Sequence, residues 1–436
     1  MASSETAAAV QRDSEEHATL RRVAVSSFLG NFIEWFDYAS YSYFATVIAL
    51  VLMPPGDPTV ALLETFGVFA LSFLMRPVGA FFWGHMGDKK GRKWALSTSI
   101  FLMTGATFCI GLLPGYLAIG LAAPILLLLL RMIQGFSASG EYAGAATFLA
   151  EYAPSDKRGV YCSLVPASTA VGLLVGSTFA TVMYTILPDA AVNEWGWRIP
   201  FLLAAPLGLG GLYMRRNMAD SAEFHKLKAT GKLEKSPLRK SLSTSSRALL
   251  FCTGFVVVKA VSSWVLQSFM PGYLSTHLHY SKTDAYLITT LGLLSVAVCM
   301  PITGYLSDLW GRRPMMLLGC GGFILLTWPA MLVMSQGSVG TSIAAMSMLG
   351  VFVAMFNGGC GAAMVELFPT AIRYGSIAIA YNLTVAVFGG VTPLASASLI
   401  SLTGDPLSPA WYVMFAALIS FIAVWLAKET AGKVLD

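Results

Sequence analysis

Apolar runs of about 20 residues alternate with short polar breaks along this chain, and a run of that length crosses a roughly 30 Å hydrocarbon core as an α-helix. Twelve spans can be drawn: 23 to 53, 60 to 83, 94 to 113, 121 to 152, 160 to 187 and 199 to 214, then 249 to 274, 283 to 306, 315 to 334, 340 to 367, 376 to 402 and 410 to 427. One long polar, basic stretch, residues 215–248, separates the first six from the last six and reads as a linker between bundles at 23–214 and 249–427. Residues 1–22 and 428–436 are polar tails. The predicted fold class is an all-α polytopic membrane protein, twelve transmembrane helices in two six-helix bundles.

The polar breaks are themselves repeated. Gly84-His-Met-Gly-Asp88-Lys-Lys-Gly91-Arg92-Lys93 returns 220 positions later as Gly304-Tyr-Leu-Ser-Asp308-Leu-Trp-Gly311-Arg312-Arg313. Glu151-Tyr-Ala-Pro154-Ser-Asp-Lys-Arg158 returns 215 positions later as Glu366-Leu-Phe-Pro369-Thr-Ala-Ile-Arg373. Two echoes at nearly one offset imply a duplicated six-span unit, the plan of many secondary transporters. Asp88, Arg92, Asp308, Arg312, Arg158 and Arg373 are therefore expected to make gating contacts with neighbouring helix termini, broken and remade as the halves rock. The alternative is that these loops only orient the protein in the membrane. The first copy has Lys89 and Lys90 where the second has Leu309 and Trp310, which predicts that the two gates close with different contacts.

Composition supports a lipid environment: 56% of residues are hydrophobic and 12% charged. With loops assigned alternately to two sides, 23 of the 28 Lys and Arg fall on one side, Arg198 and Lys282 on the other, and Arg76, Arg131 and Lys259 within spans. The positive-inside rule then places both termini in the cytoplasm. The first 20 residues lack an apolar signal-peptide core, so the first span is expected to serve as the targeting signal. Six cysteines lie singly in or beside spans and read as small packing residues. No Walker A sequence, His-Glu-x-x-His or Gly-x-Ser-x-Gly occurs, and His277 with His279 is weak support for a metal, so no ATP-driven step, hydrolase, metal or cofactor is expected.

Ionisable residues inside spans cost at least about 2.5 kcal/mol each on insertion scales and mark functional positions. In the first span Asn31, Glu34, Asp37 or Tyr38, and Tyr41 recur every three to four residues as a polar stripe on one helix face. Carboxylates one turn apart repel each other in a low dielectric, which makes Glu34 and Asp37 candidates to carry a proton. The competing reading holds both in structural ion pairs with Arg76 and Arg131. Glu141 is either a second proton stop or a helix-packing ion pair. Arg131 lies near the midplane and can clasp a substrate carboxylate or Asp37. Arg76, followed by Pro77 and Gly79, is expected near the basic loop, bracing the gate. Lys259 either contacts an anionic group, pairs across the domain interface or reaches the membrane interface. Tyr41, Trp264 and Gln267 complete the expected substrate contacts, aromatic faces being suited to a quaternary ammonium.

The paired loops and twelve spans resemble the major facilitator superfamily over essentially the whole chain. Gly30-Asn-Phe-Ile-Glu-Trp-Phe-Asp-Tyr38, Phe73-Leu-Met-Arg-Pro-Val-Gly79, Gln134-Gly-Phe-Ser-Ala-Ser-Gly-Glu-Tyr142 and Trp195-Gly-Trp-Arg-Ile-Pro-Phe201 are similar to the metabolite:proton symporter family. Phe368-Pro-Thr-Ala-Ile-Arg-Tyr374, Tyr381-Asn-Leu-Thr-Val385 and Phe388-Gly-Gly-Val-Thr-Pro393 most resemble its proline/glycine-betaine transporters. The resemblance implies an osmolyte:proton symporter of a bacterial plasma membrane, with Glu34, Asp37 and Glu141 where that family carries its membrane carboxylates. Its expected partners are a small-molecule substrate, protons and lipid, with no nucleic acid, and it is expected to work as a monomer. A carboxylate:proton symporter, and from another class a non-transporting membrane receptor, are the competing readings.

Overall fold

In a computed structural model the described residues are 2–216, 229–230 and 243–435. Helix α1 (Ala2–Tyr43) continues past a break at Phe44 as Ala45–Leu52, and α2 spans Pro58–Lys90, α3 Arg92–Leu112, α4 Ala122–Tyr152, α5 Arg158–Ile186 and α6 Ile199–Arg216. The second half repeats this order. Helix α7 runs Ser246–Trp264 and on to Thr276, followed by α8 (Lys282–Trp310), α9 (Arg312–Ser335), α10 (Val339–Glu366), α11 (Arg373–Thr384, extended to Thr403) and α12 (Pro409–Leu426). Ten of these are long and apolar enough to cross a membrane by length and hydropathy alone. The other two are α1, diluted by Asn31, Glu34, Asp37 and several Ser and Tyr, and α6, which ends on Arg215 and Arg216.

The internal repeat is visible in the packing. α2 lies on α4 and α3 on α4 and α6, as α8 lies on α10 and α9 on α10 and α12. Between the bundles α5 packs on α8 and α2 on α11, two seams that the duplication makes equivalent. Both seams close on glycine. A Cβ on Gly84 would stand 2.8 Å from the Gly375 Cα, and one on Gly304 the same 2.8 Å from the Gly159 carbonyl oxygen. Lipid gives helices no hydrophobic incentive to associate, so such backbone approach supplies the packing. Gly91 (φ 110°) and Gly311 (φ 105°) each reverse the chain in a single residue between consecutive helices, a backbone region that side chains with a Cβ avoid.

Two expectations are corrected. The helix of the first span starts at Ala2, inside the stretch assigned to a tail. Arg215, assigned to the linker, is buried in the first bundle against Glu141, because a charge at the end of α6 lies within reach of a carboxylate on α4. Most of the linker 215–248 lies outside the described residues. Helices α7 and α11 are also not uniform: each widens into a π-helical turn, Val265–Phe269 and Val385–Gly389. Of the cysteines read as packing residues, Cys162, Cys252, Cys320 and Cys360 are buried, Cys299 is half-buried and Cys109 is exposed.

After α12 the chain turns back beneath α9. Glu429 accepts hydrogen bonds from the backbone N–H groups of Arg312 and Arg313 at 3.0 and 2.9 Å, and from those of Thr430 and Ala431 at 2.8 Å each. It thereby satisfies orphan donors at the start of α9. Burial opposes its charge, but the four donors win and hold the carboxyl below the usual carboxylate range.

Two outcomes follow from this packing. Gly375→Leu should wedge open the α2–α11 seam and raise maleimide labelling of the buried Cys162, read by mass spectrometry; unchanged labelling in a folded variant would contradict the seam's role. A carboxyl with a lowered folded pKa stabilises above its unfolded pKa and loses that contribution as pH falls through the folded value. Glu429→Gln should therefore lower the melting temperature at neutral pH, with the difference from the unsubstituted protein narrowing on acidification.

Candidate functional site

The polar stripe of α1 is spent on partners from neighbouring helices. Asn31 donates to the Val165 carbonyl, Ser168 and Thr169 on α5 at 2.8–2.9 Å. Glu34 pairs with Arg76 of α2 at 2.5 Å, and the same guanidinium nitrogen donates to the Tyr38 hydroxyl at 2.9 Å. Asp37 pairs with Arg131 of α4 at 2.6 Å and accepts from Gln134 at 3.0 Å. Arg131 in turn stacks 3.7 Å above the Tyr41 ring, whose hydroxyl donates to the Thr65 carbonyl. Glu141 pairs with Arg215 at 2.5 Å and accepts from Ser99 at 3.1 Å. Each membrane carboxylate therefore has its own arginine, and removing one member of such a buried pair costs about 3–5 kcal/mol. Glu34 differs from the others in one respect: its second oxygen, Oε2, is buried without a hydrogen-bond partner among the described residues.

At the end of the molecule carrying the two repeated loops, the bundles are tied together by a duplicated network. Asp88, at the end of α2, accepts from the backbone N–H groups of Tyr374 and Gly375 at the start of α11, at 3.2 and 2.8 Å. Asp308, at the end of α8, accepts from those of Gly159 and Val160 at the start of α5, at 2.7 and 2.9 Å. Each aspartate caps a helix of the opposite bundle, where orphan donors and the helix dipole favour an anion. Arg92 pairs with Asp88 and Glu151, both at 3.3 Å, and Arg373 reaches Glu151 at 3.0 Å. The second copy matches: Arg312 pairs with Asp308 at 2.6 Å and Glu366 at 3.3 Å, while Arg158 reaches Glu366 at 2.9 Å. Lys89, Lys90, Leu309 and Trp310 are all exposed and the ion pairs use none of them, so the closures do not differ through those residues. They differ through the chain after α12, where Glu429 accepts from the Arg312 and Arg313 backbone, Thr430 donates to Glu366 and Arg158 donates to the Lys433 carbonyl, while in the first copy Arg92 donates to the Thr370 carbonyl. Glu151 and Glu366 are the carboxylates that join the halves, and the signal for them was their place at the head of both copies of the second echo.

Between the bundles, roughly midway along their helices, lies a cavity. Trp35, Arg76 and Tyr142 line it from the first bundle, and Lys259, Trp264 and Asn357 from the second. Trp35 and Phe73 meet Trp264 across the bundle interface, with ring centroids 6.2 and 5.3 Å apart, and Tyr142 stacks on Tyr381 at 4.2 Å. Gln267 reaches the cavity from the π-helical turn of α7, and such turns often mark functional sites.

The expected substrate contacts thus divide. Lys259, Trp264 and Gln267 line the cavity; Asp37, Tyr41 and Arg131 do not, because Asp37 and Arg131 satisfy each other inside the first bundle. Arg76, expected at the gate, faces the cavity instead, fourteen residues before α2 ends at Lys90. Trp35 and Tyr142 join the site without having been assigned to it. Their signal was their place within the family-like motifs, but facing across an interface leaves no periodic trace.

Comparison with known proteins agrees with this architecture. Residues 23–224 and 214–436 match the family described as sugar (and other) transporter. The chain is 38% identical over 427 residues to the proline/betaine transporter of Salmonella typhimurium, covering 95% of this chain and 85% of that one. It is 37% identical over 425 residues to the glycine betaine/proline/ectoine/pipecolic acid transporter OusA of Dickeya dadantii, with the same coverage of 95% and 85%. The solved proton:xylose symporter XylE of the major facilitator superfamily superposes with a TM-score of 0.80 over 96% of this chain and 98% of that one, at 18% identity. The chain is therefore a multi-pass membrane transporter that belongs to the sugar (and other) transporter family and has the major facilitator fold.

Proposed function

We propose that this transporter takes up a small polar metabolite of the proline/betaine kind together with protons, by alternating access across a bacterial inner membrane, with both termini in the cytoplasm. The observation that carries the reading is a central cavity between two bundles whose basic ends are joined by paired helix caps. The names of the relatives support the substrate class, and the loop charges support the orientation. In this state the cytoplasmic end is closed. Opening it requires Asp88 and Asp308 to leave the helix termini they cap, and at the membrane surface water can replace those bonds.

Among Glu34, Asp37 and Glu141, the coupling proton belongs on Glu34. Both oxygens of Asp37 and of Glu141 accept hydrogen bonds, whereas Glu34 Oε2 has none among the described residues and its partner Arg76 lines the cavity. Protonation cancels the charge that restrains Arg76 and so changes the cavity wall that substrate meets. Asp37–Arg131 and Glu141–Arg215 then serve as fixed braces of the first bundle. The membrane potential adds about 2.3 kcal/mol per charge per 100 mV to the drive.

In proteoliposomes with an imposed gradient of about one pH unit, one-to-one symport accumulates substrate up to about tenfold. Glu34→Gln should reduce that ratio to about one while leaving substrate exchange between the two faces intact. A Glu34→Gln protein that still accumulates proline or betaine on a pH gradient excludes Glu34 as the carrier. No accumulation of any solute by the unsubstituted protein under any gradient excludes symport itself.

A further inference from the structure

Among the described residues the buried cations are partnered, with one exception. Arg76, Arg131 and Arg215 each have a carboxylate at 2.5–2.6 Å. Lys259, 5% exposed, has no carboxylate within ion-pair distance among the described residues. Its Nζ donates to Asn357 Oδ1 at 2.5 Å and stands 4.5 Å from the centroid of the Tyr142 ring. Both neighbours are neutral. The Asn357 amide is oriented by its own helix, since Nδ2 donates to the Val353 carbonyl at 2.9 Å and leaves Oδ1 to face the lysine. An ammonium carries three donors, and the structure uses one of them in a hydrogen bond. Lys259 lines the same cavity as Arg76, whose charge is already matched by Glu34. The cavity therefore carries one positive charge in excess, presented to whatever enters it.

A buried ion without a counter-ion is strongly unfavourable, and a structural lysine at this depth would have a carboxylate as the arginines do. We infer that Lys259 is the receptor for a carboxylate of the substrate and the residue that makes a carboxylate obligatory for binding. Asn357 and Tyr142 are positioning residues: the amide fixes one N–H direction, and the ring face supports the charge without neutralising it. Trp35 and Trp264 are left to receive the remaining body of the substrate. A cation that lacks the carboxylate meets Lys259 uncompensated and is rejected. The inference rests on the transport reading for the identity of the cavity, but binding to Lys259 requires neither a gradient nor turnover.

The test is equilibrium binding to the purified full-length protein, by calorimetry and by ligand-induced shift of the melting temperature. Two pairs of ligands differ at the carboxylate: betaine against choline, and proline against prolinamide. The unsubstituted protein should bind the carboxylate of each pair and discriminate against its partner. Lys259→Gln should weaken betaine and proline binding about 10- to 100-fold, the range for losing a hydrogen bond to a charged group, and should narrow the gap to choline and prolinamide. Lys259→Arg, which keeps the charge, should retain the preference. The inference is overturned if choline and prolinamide bind as tightly as their carboxylate counterparts, or if neither carboxylate binds. It is also overturned if Lys259→Gln, with unchanged elution and melting temperature, keeps the full preference. The ligand series on the unsubstituted protein and Lys259→Arg decide the matter even if Lys259→Gln does not fold. Failure of proton coupling would appear only in the gradient-driven uptake assay, so the two readings fail separately.

Discussion

A charge inside a bilayer-spanning helix must find an opposite charge or face a cavity, and the arrangement of this protein follows from that constraint. The first bundle meets it internally. Three carboxylates on α1 and α4 pair with three arginines on α2, α4 and at the end of α6, cross-linking the bundle through contacts that hydrophobic packing in lipid does not provide. Among the described residues the second bundle has no such set within its spans and instead presents Lys259 beside Asn357. The two halves share one fold but divide the work. The carboxylates belong to the first, and the cavity's excess charge belongs to the second.

The same physics at the membrane surface gives a different result. There the aspartates of the repeated loops cap helices of the opposite bundle, and arginines bridge to Glu151 and Glu366 across the halves. These side chains are buried where the two bundles meet, so water can take the place of their bonds only as the halves part. The glycine contacts at Gly84–Gly375 and Gly159–Gly304 let the bundles seat closely enough for the caps to form. Duplication gives both seams the same helix caps and arginine bridges, and the chain after α12 adds contacts to the second copy alone.

A proton:xylose symporter at 18% identity has the same fold, while relatives at 37–38% identity are named for proline and betaine. A fold can keep its packing while the lining of a cavity between its halves changes, and Lys259, Trp264 and Tyr142 are among the residues that line it here.

Much of this was legible from residues alone. Run length specified the spans, the paired loops specified the duplication, and the period of Asn31, Glu34, Asp37 and Tyr41 specified a polar helix face. Those are local properties, set by rise per residue, hydration cost and the directions of side chains on one helix. Which arginine each carboxylate meets, the depth of Arg76, the shared closure through Glu151 and Glu366, and the isolation of Lys259 were decided by tertiary structure. Each of these depends on contacts between helices separated by tens to hundreds of positions in the chain. The pattern along a single helix states that a charge needs a partner; only the packing of the other helices determines whether the protein supplies one or leaves that place to a ligand.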